Sequence, residues 1–449
     1  MSIKQTPWLR AKKRLKWVLN KDITEGIFLL LGVIVALIWA NSPGHESYHH
    51  LWEQKLSIRF GSFQFEQNFH HLINDGLMAI FFFLVGLEIK REVMVGELST
   101  FRKALFPIIC AAGGMLFPAL IYFAFNPSGD AADGWGVPVA TDIAFALVLV
   151  SVLGKRVPVA LKVFLAALAI ADDLGAVMVI AIFYTDEIVI NSLLIAFSVF
   201  GFLIVANRFG IRNPWFYGLV GMFGIWLAFL QSGVHATIAG VIIAMAIPTD
   251  VLIRGDKYAY KLKQLGRKFK RTDGHDHQMA TDDQLEIVGN VKKVTKAVMP
   301  PLQKIEHAIS PFVSYLILPL FALANAGVRL ETSFWEAIQS PVSLGIIFGL
   351  VFGKTIGIMG FARLSTWLGI TQIPAAISWR QLLGAASFAG IGFTMSLFIA
   401  ELAFNNEALL VNAKFGILLA SVVAASIGLI IFLGFRPKEI EVTLPSEKE

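Results

Sequence analysis

Two aspartates, Asp172 and Asp173, stand side by side in the run A-L-A-I-A-D-D-L-G-A-V-M-V-I-A. A third, Asp142, lies in V-P-V-A-T-D-I-A-F-A-L. Both stretches are otherwise apolar, and a charged side chain at the centre of a bilayer costs roughly 2.5–3.5 kcal/mol on insertion scales. Paired carboxylates offer hard oxygen ligands, which suit a hard cation. The stretch around Asp172 and Asp173 holds no Cys or His to favour a transition metal. Burial opposes charge on a carboxylate, so such a group can hold either a proton or a sodium ion. Competition for one site is the simplest basis of exchange. Neighbours on a helix point about 100° apart. One of the pair is therefore expected to face an ion path and the other the adjacent core. The alternative is a polar clamp between two helices.

Further residues invite chemistry. Thr141-Asp142 follows Pro138, and a Thr-Asp at a helix break can satisfy freed backbone amides and offset the positive ends of half-helices. That role and direct ion ligation both remain open, and the reading favours the first. Lys354, in F-G-K-T-I-G, is expected to pair with an aspartate or to neutralise the negative ends of broken helices. Its alternative, snorkelling to the interface, is weakened by the apolar and small residues on both sides. His235, in S-G-V-H-A-T, belongs to the residue type that titrates near neutrality, against the plainer role of a hydrogen-bonded packing residue. Glu88, Glu306 and His307 fall near span ends on one side, where a cluster would sense internal pH. A solvated mouth is the plainer reading for each.

The elements that position these groups are membrane helices. The chain has 449 residues, 56% hydrophobic and 16% charged, and a mean hydropathy of +0.67. A soluble domain carries about 25% charged residues. Runs of about 20 apolar residues recur from Gly26 to Gly434, which reads as an all-α polytopic membrane protein. Twelve spans are expected: 24–40, 71–90, 104–125, 135–154, 158–184, 188–206, 214–230, 233–248, 309–327, 341–362, 381–404 and 411–434. The one cysteine, Cys110, excludes an intrachain disulfide. The basic start is followed by a run ending in Ile38-Trp39-Ala40-Asn41-Ser42, read as a retained first helix and not a cleaved signal.

An even number of spans puts both termini on one side. With these cytoplasmic, only Lys55, Arg59, Arg329 and Lys414 of the 38 Lys and Arg fall on outer loops, as the positive-inside rule demands. Lys354 is left as the one cation deep within a span. The domain reading is a basic N-terminus (1–22), one transmembrane unit (23–434) and a cytoplasmic tail (435–449). The outer loop 41–70 carries an alternating stretch around Gly61-Ser62, read as a β-hairpin that pairs with another copy. The inner segment 249–308 is long and charged, read as a flexible, lipid-adjacent loop. Its His275 and His277 lack further metal ligands at matching spacing.

Two spans carry breakers. Gly136-Val-Pro138-Val-Ala-Thr141-Asp142 interrupts span 4, and Gly390-Ile-Gly392-Phe-Thr394 interrupts span 11. Each is the middle of a three-span unit, spans 3–5 and spans 10–12. The two units start on opposite sides of the membrane and so form inverted-topology repeats. Gly345-x-x-x-Gly349-x-x-x-Gly353 reads as a helix-packing stripe.

Taken together, A-T-D-I-A-F-A-L, A-L-A-I-A-D-D-L-G-A, S-G-V-H-A-T-I-A-G-V, S-Y-L-I-L-P-L-F-A-L-A-N-A-G-V and G-I-G-F-T-M-S-L-F-I-A resemble the bacterial NhaA-type sodium/proton antiporters. The likeness runs from about residue 20 to 434. Inverted repeats are a property for which this family is itself a type case. The resemblance implies twelve helices with spans 4 and 11 interrupted and crossing, in the bacterial inner membrane. It implies electrogenic, pH-regulated exchange of Na+ or Li+ for protons. Asp172 and Asp173 match the family's ion- and proton-binding pair, and so the Na+ ligands. Asp142 and Lys354, with Thr141, match charge compensation at the crossing, and Lys354 also matches a proposed proton carrier. Glu88, Glu306 and His307 match the pH-responsive region, and His235 is added to it as a candidate. The outer hairpin matches a dimerisation element, which implies a homodimer. The segment 250–304 departs from the family pattern by its length and charge.

The reading is a secondary antiporter in a lipid bilayer, not an enzyme, with no cofactor beyond the transported Na+, Li+ and H+ and no nucleic acid. No Gly-rich phosphate loop of the P-loop kind is present. The alternatives are a sodium-coupled symporter of an organic solute and a non-transporting membrane sensor or scaffold.

Overall fold

Apolar sequence on every face of a helix leaves it stable only in lipid or in a buried bundle, and the computed structural model shows such helices throughout. The structure describes residues 21–60, 63–185, 189–272, 280–329, 334–374 and 376–434. The basic N-terminal segment, the tail 435–449, the hairpin tip Gly61-Ser62, and His275 and His277 lie outside the described residues.

In chain order, α1 (Lys21–Ala40) and the short α2 (His45–Glu53) lead into strands β1 (Lys55–Phe60) and β2 (Phe63–Asn68). Then come α3 (Phe69–Met94) and α4 (Phe101–Phe125). A 3-10 segment, Ala132–Val139, precedes α5 (Ile143–Leu153), which is followed by α6 (Val159–Phe183) and α7 (Ile190–Arg208). Next are α8 (Pro214–Leu230), α9 (Thr237–Ala246), α10 (Gly255–Arg271), α11 (Asp282–Val298) and α12 (Pro301–Asn325). The chain closes with α13 (Phe334–Gln339), α14 (Pro341–Trp367), α15 (Trp379–Ala389), α16 (Phe393–Ala403) and α17 (Glu407–Leu433).

Among the described residues nine helices are long and apolar enough to cross a bilayer, or up to ten if α15 and α16, bent by 43°, form one span. The protein is a multi-pass α-helical membrane protein. The expected spans at 214–230 and 233–248 fall on α8 and α9, apolar helices that are shorter than the nine. The span expected at 309–327 starts earlier, at Pro301, and the span expected at 341–362 continues to Trp367. Pro at a first helical position, with its fixed φ and missing donor, sets the starts of α8, α12 and α14.

The hairpin expected in 41–70 is formed, with β1 and β2 antiparallel in the register Lys55↔Asn68 and Ile58↔Phe65. The segment 249–308 corrects its reading as a flexible loop: its described residues include the helix pair α10 and α11. Its helix signal is local. Thr281 and Gln284 form a reciprocal capping box at the start of α11.

The main core lies where α4 packs against α6 and α14, α1 against α12, and α14 and α15 against α17. The seam between α4 and α14 is close. A Cβ on Gly357 would sit 2.1 Å from the Gly113 carbonyl oxygen, and one on Gly353 would sit 2.9 Å from Pro118 Cα. The glycine stripe thus packs as expected and extends one turn further. It brings α14 backbone to backbone with α4 at the level of Lys354. A π-type turn, Gly349–Gly353, immediately precedes that lysine.

Candidate functional site

The break before α5 follows from its sequence. Pro138 removes a backbone donor, and the backbone is extended at Ala140 (φ −77°, ψ 150°) and at Asp142 (φ −86°, ψ 94°). The second break separates α15 from α16 at Gly390, Ile391 and Gly392. A Cβ on Gly390 would lie 2.4 Å from the Leu350 carbonyl oxygen, so only glycine fits there.

The two breaks meet. Asp142 N donates to Ile391 O at 2.6 Å, and Thr141 Oγ1 donates to Ala389 O at 2.8 Å. Asp142 caps both half-helices at once. Its Oδ1 accepts from Phe145 N at 2.9 Å, in the first turn of α5. Its Oδ2 accepts from Thr394 N at 3.1 Å and from Thr394 Oγ1 at 2.6 Å, in the first turn of α16. A carboxylate placed at two helix N-termini offsets the partial positive charge of both. Ser396 Oγ, also in α16, donates to Val137 O at 2.7 Å, and Phe393 N donates to Ser421 Oγ of α17 at 3.2 Å.

The adjacent aspartates sit midway along α6, and the helix turns them apart. Asp172 faces α14, where its Oδ2 accepts from Lys354 Nζ at 2.5 Å. The lysine is 1% exposed and the aspartate 3%. Both line a small cavity of about 10 Å³, close to the least that holds one water molecule, together with Gly114, Thr141, Leu168 and Ala389. Asp173 is 2% exposed and does not line that cavity. Asp172, Glu88 and Asp142 lie within electrostatic range of it. Among the described residues, Asp172 Oδ1 and Asp173 Oδ1 are buried with no hydrogen-bond partner. Buried polar atoms are nearly always paired, so two orphaned carboxylate oxygens on consecutive residues ask for a ligand.

Sequence reasoning put Glu88, Glu306 and His307 together, and the structure divides them. Glu306 is buried on α12 and accepts from Arg91 Nη1 of α3. The same guanidinium donates through Nη2 to Glu92 Oε1 at 3.2 Å. Glu88, one turn before Arg91, feels Glu306, Arg91, Glu92 and Glu25 electrostatically. His307 is exposed and outside this group. His235 precedes α9 in a turn whose Gly233 has φ +78°. Its Nε2 hydrogen-bonds to Tyr184 O, at the C-terminal end of α6. It therefore ties a turn to the end of the helix that carries the aspartates, far along the helix from them.

Four residues of these networks were missed as site residues. Thr394 had a signal, since it stands two residues after Gly392 as a hydroxyl beside a helix break. Arg91 lies at the i+3 position to Glu88, a spacing that places both on one helix face. Ser396 and Ser421 show no sequence signal. Among the described residues no group of three or more His, Cys, Asp or Glu is arranged to hold a metal ion.

A family model described as Na+/H+ antiporter 1 matches residues 16–432 of this chain. The chain belongs to that family. Its similarity to individual members is spread over nearly the whole length. The Na(+)/H(+) antiporter NhaA of Acidithiobacillus ferrooxidans is 49% identical over 415 residues, covering 92% of this chain and 95% of that protein. The one from Sulfurimonas denitrificans is 46% identical over 430 residues, covering 94% and 97%. Na(+)/H(+) antiporter NhaA 1 of Saccharophagus degradans is 42% identical over 434 residues, covering 94% and 93%. Membership in the Na+/H+ antiporter family thus extends across the crossing, the aspartate pair and Lys354 alike.

Proposed function

We propose that the protein is an electrogenic secondary antiporter of the bacterial inner membrane that exchanges cytoplasmic Na+ or Li+ for external protons, with both termini cytoplasmic. The reading includes twelve spans in inverted repeats, with one break at the heart of each repeat. The observation that carries it is the pair of buried carboxylates on α6, each with an orphaned oxygen, one of them held by a buried lysine.

The chemistry follows from charge balance. In the proton-loaded state Asp173 is protonated, and Lys354 as an ammonium pairs with the Asp172 carboxylate. The site is then neutral. Facing the cytoplasm, Na+ takes the two carboxylates as oxygen ligands. Asp173 releases its proton, and Lys354, deprived of its partner in a dry site, releases another. The loaded site carries one net negative charge. Rocking of one repeat unit against the other exposes it outward, where two protons displace the Na+. One Na+ leaves for two protons entering, so the cycle is electrogenic. Asp142 and Thr141 hold the crossing together while this happens. The Arg91–Glu306 pair and Glu88 lie at one end of α3 and α12, where they adjust the opening of the site to internal pH. The hairpin of β1 and β2 joins two copies in a homodimer.

Everted membrane vesicles with an imposed pH gradient test the assignment. Addition of Na+ or Li+ should dissipate the gradient in the unaltered protein and fail to do so in Asp172→Asn and Asp173→Asn. In purified protein the apparent sodium Kd should rise by up to about tenfold per pH unit for each competing proton as pH falls. A pH-independent Kd would exclude a shared site.

A further inference from the structure

The helix α10 is built for a negative surface. Seven of its 17 residues, GDKYAYKLKQLGRKFKR, are Lys or Arg, against one Asp. Tyr258, Leu262 and Leu265 recur at helical spacing and are half-buried, turned towards α11, against which α10 packs. The Tyr258 hydroxyl lies 3.2 Å from Thr295 Oγ1 of α11. The rest of the helix surface is exposed and carries all of its basic residues, with Arg267, Arg271, Lys263 and Tyr260 (64% exposed) opposite the stripe and Lys257, Lys261 and Lys268 on one flank.

The pair of helices stands on a closed stem. Leu302 N donates to Pro248 O at 3.2 Å, and Leu252 N and Ile253 N both donate to Ala297 O, at 3.1 and 3.2 Å. Only eight residues, 247–254, separate α10 from the end of α9. The stem presents Val251 and Leu252, 42% and 64% exposed, beside the ends of the membrane helices.

We propose that the basic face of α10 docks on the anionic phospholipid headgroups of the bilayer that holds the protein. Charge complementarity suits any polyanion. The short, hydrogen-bonded tether to membrane helices sets a high local concentration of headgroups, which no soluble partner matches. The exposed apolar stem and Tyr260 are residue types that seat at the headgroup boundary. Each lysine adds an apolar stalk that lies along such a surface with its charge outward. Basic helices of this kind bind anionic leaflets through additive single-charge contributions.

The test uses the full-length protein in nanodiscs. The variant Gln264→Cys, changed on the exposed surface of α10, is labelled with a fluorophore, while Cys110 is buried and stays unlabelled. Headgroup-attached nitroxide lipids then report proximity as quenching. Quenching is expected in discs rich in phosphatidylglycerol, absent in pure phosphatidylcholine, and reversed by salt. Lys257→Gln, Lys261→Gln and Lys268→Gln, made singly and together, should each lower the docked-to-free ratio about fivefold. Equal quenching in both lipids, or none in anionic discs, overturns the proposal. So does release of the label from anionic discs by polyglutamate or RNA at trace concentration, which would assign the face to a soluble polyanion.

Discussion

Lys354 Nζ and Asp172 Oδ2 are 2.5 Å apart in a part of the protein where neither side chain reaches solvent. Breaking a buried pair from one side leaves an uncompensated charge, at a cost of about 3–5 kcal/mol. Removing both charges avoids that cost. Lys354→Ala is therefore expected to lower the thermal midpoint in detergent. Adding Asp172→Asn to it should restore most of the loss. Neither protein should exchange Na+ for protons, because in the proposed cycle the pair stores one of the two protons. A double variant that remained as unstable as Lys354→Ala would show that the lysine acts through packing.

Thr394 and Asp142 form the second relationship on which the site rests. Thr394 Oγ1 and N both reach Asp142 Oδ2. Thr394→Val keeps the shape and removes one donor to a buried acceptor, with an expected cost of about 1–3 kcal/mol. Thr394→Ser keeps the hydroxyl and should recover most of it. Unfolding curves of the two variants, with vesicle exchange alongside, separate a capping role from a mere volume effect. Equal stability of Val and wild type would remove Asp142 from its role at the crossing.

Much of this site was legible in the sequence, and the parts that were not share a cause. Asp172, Asp173, Asp142 and Lys354 announce themselves because charge in an apolar span demands a reason. The breaks were readable from Pro138, Gly390 and Gly392. The pairing of Lys354 with Asp172 and not with Asp173 depends on helix rotation, which spacing alone leaves open. Ser396 and Ser421 serve the crossing, yet a serine in a membrane helix commonly bonds its own backbone, so its type carries no message. The helices α10 and α11 were missed because high charge was read as solvation. The apolar stripe of Tyr258, Leu262 and Leu265 and the Thr281–Gln284 box carried the contrary signal.

Tyr48 links the 41–70 segment to the membrane helices. Its hydroxyl donates to Leu323 O at 2.8 Å and to Ala324 O at 3.1 Å, at the end of α12. It lies in α2, outside the spans, and burial pushes its phenol above the ordinary tyrosine range. The raised value means that the folded state holds the proton more tightly than the unfolded chain. The stabilisation is complete below the unfolded value of about 10 and is lost as pH rises above it. Tyr48→Phe should be less stable at neutral pH by about 1 kcal/mol and should show a shallower decline above that pH. Thermal melts across the alkaline range, with parallel slopes for the two proteins, would refute the linkage.

Gly357 and Gly360 lie on one helix and make opposite predictions. A Cβ on Gly357 would meet the Gly113 carbonyl oxygen at 2.1 Å, a backbone atom that cannot rotate away. A Cβ on Gly360 would meet nothing within 4 Å. Gly360→Ala should thus gain the helix propensity that alanine holds over glycine, about 1 kcal/mol. Gly357→Ala must instead push α14 off α4, and Lys354 lies one turn away on the displaced helix. Its cost should exceed the propensity gain, and the loss should appear in exchange as well as in stability. If Gly357→Ala melted and transported like Gly360→Ala, the close seam would not be what holds Lys354 against Asp172.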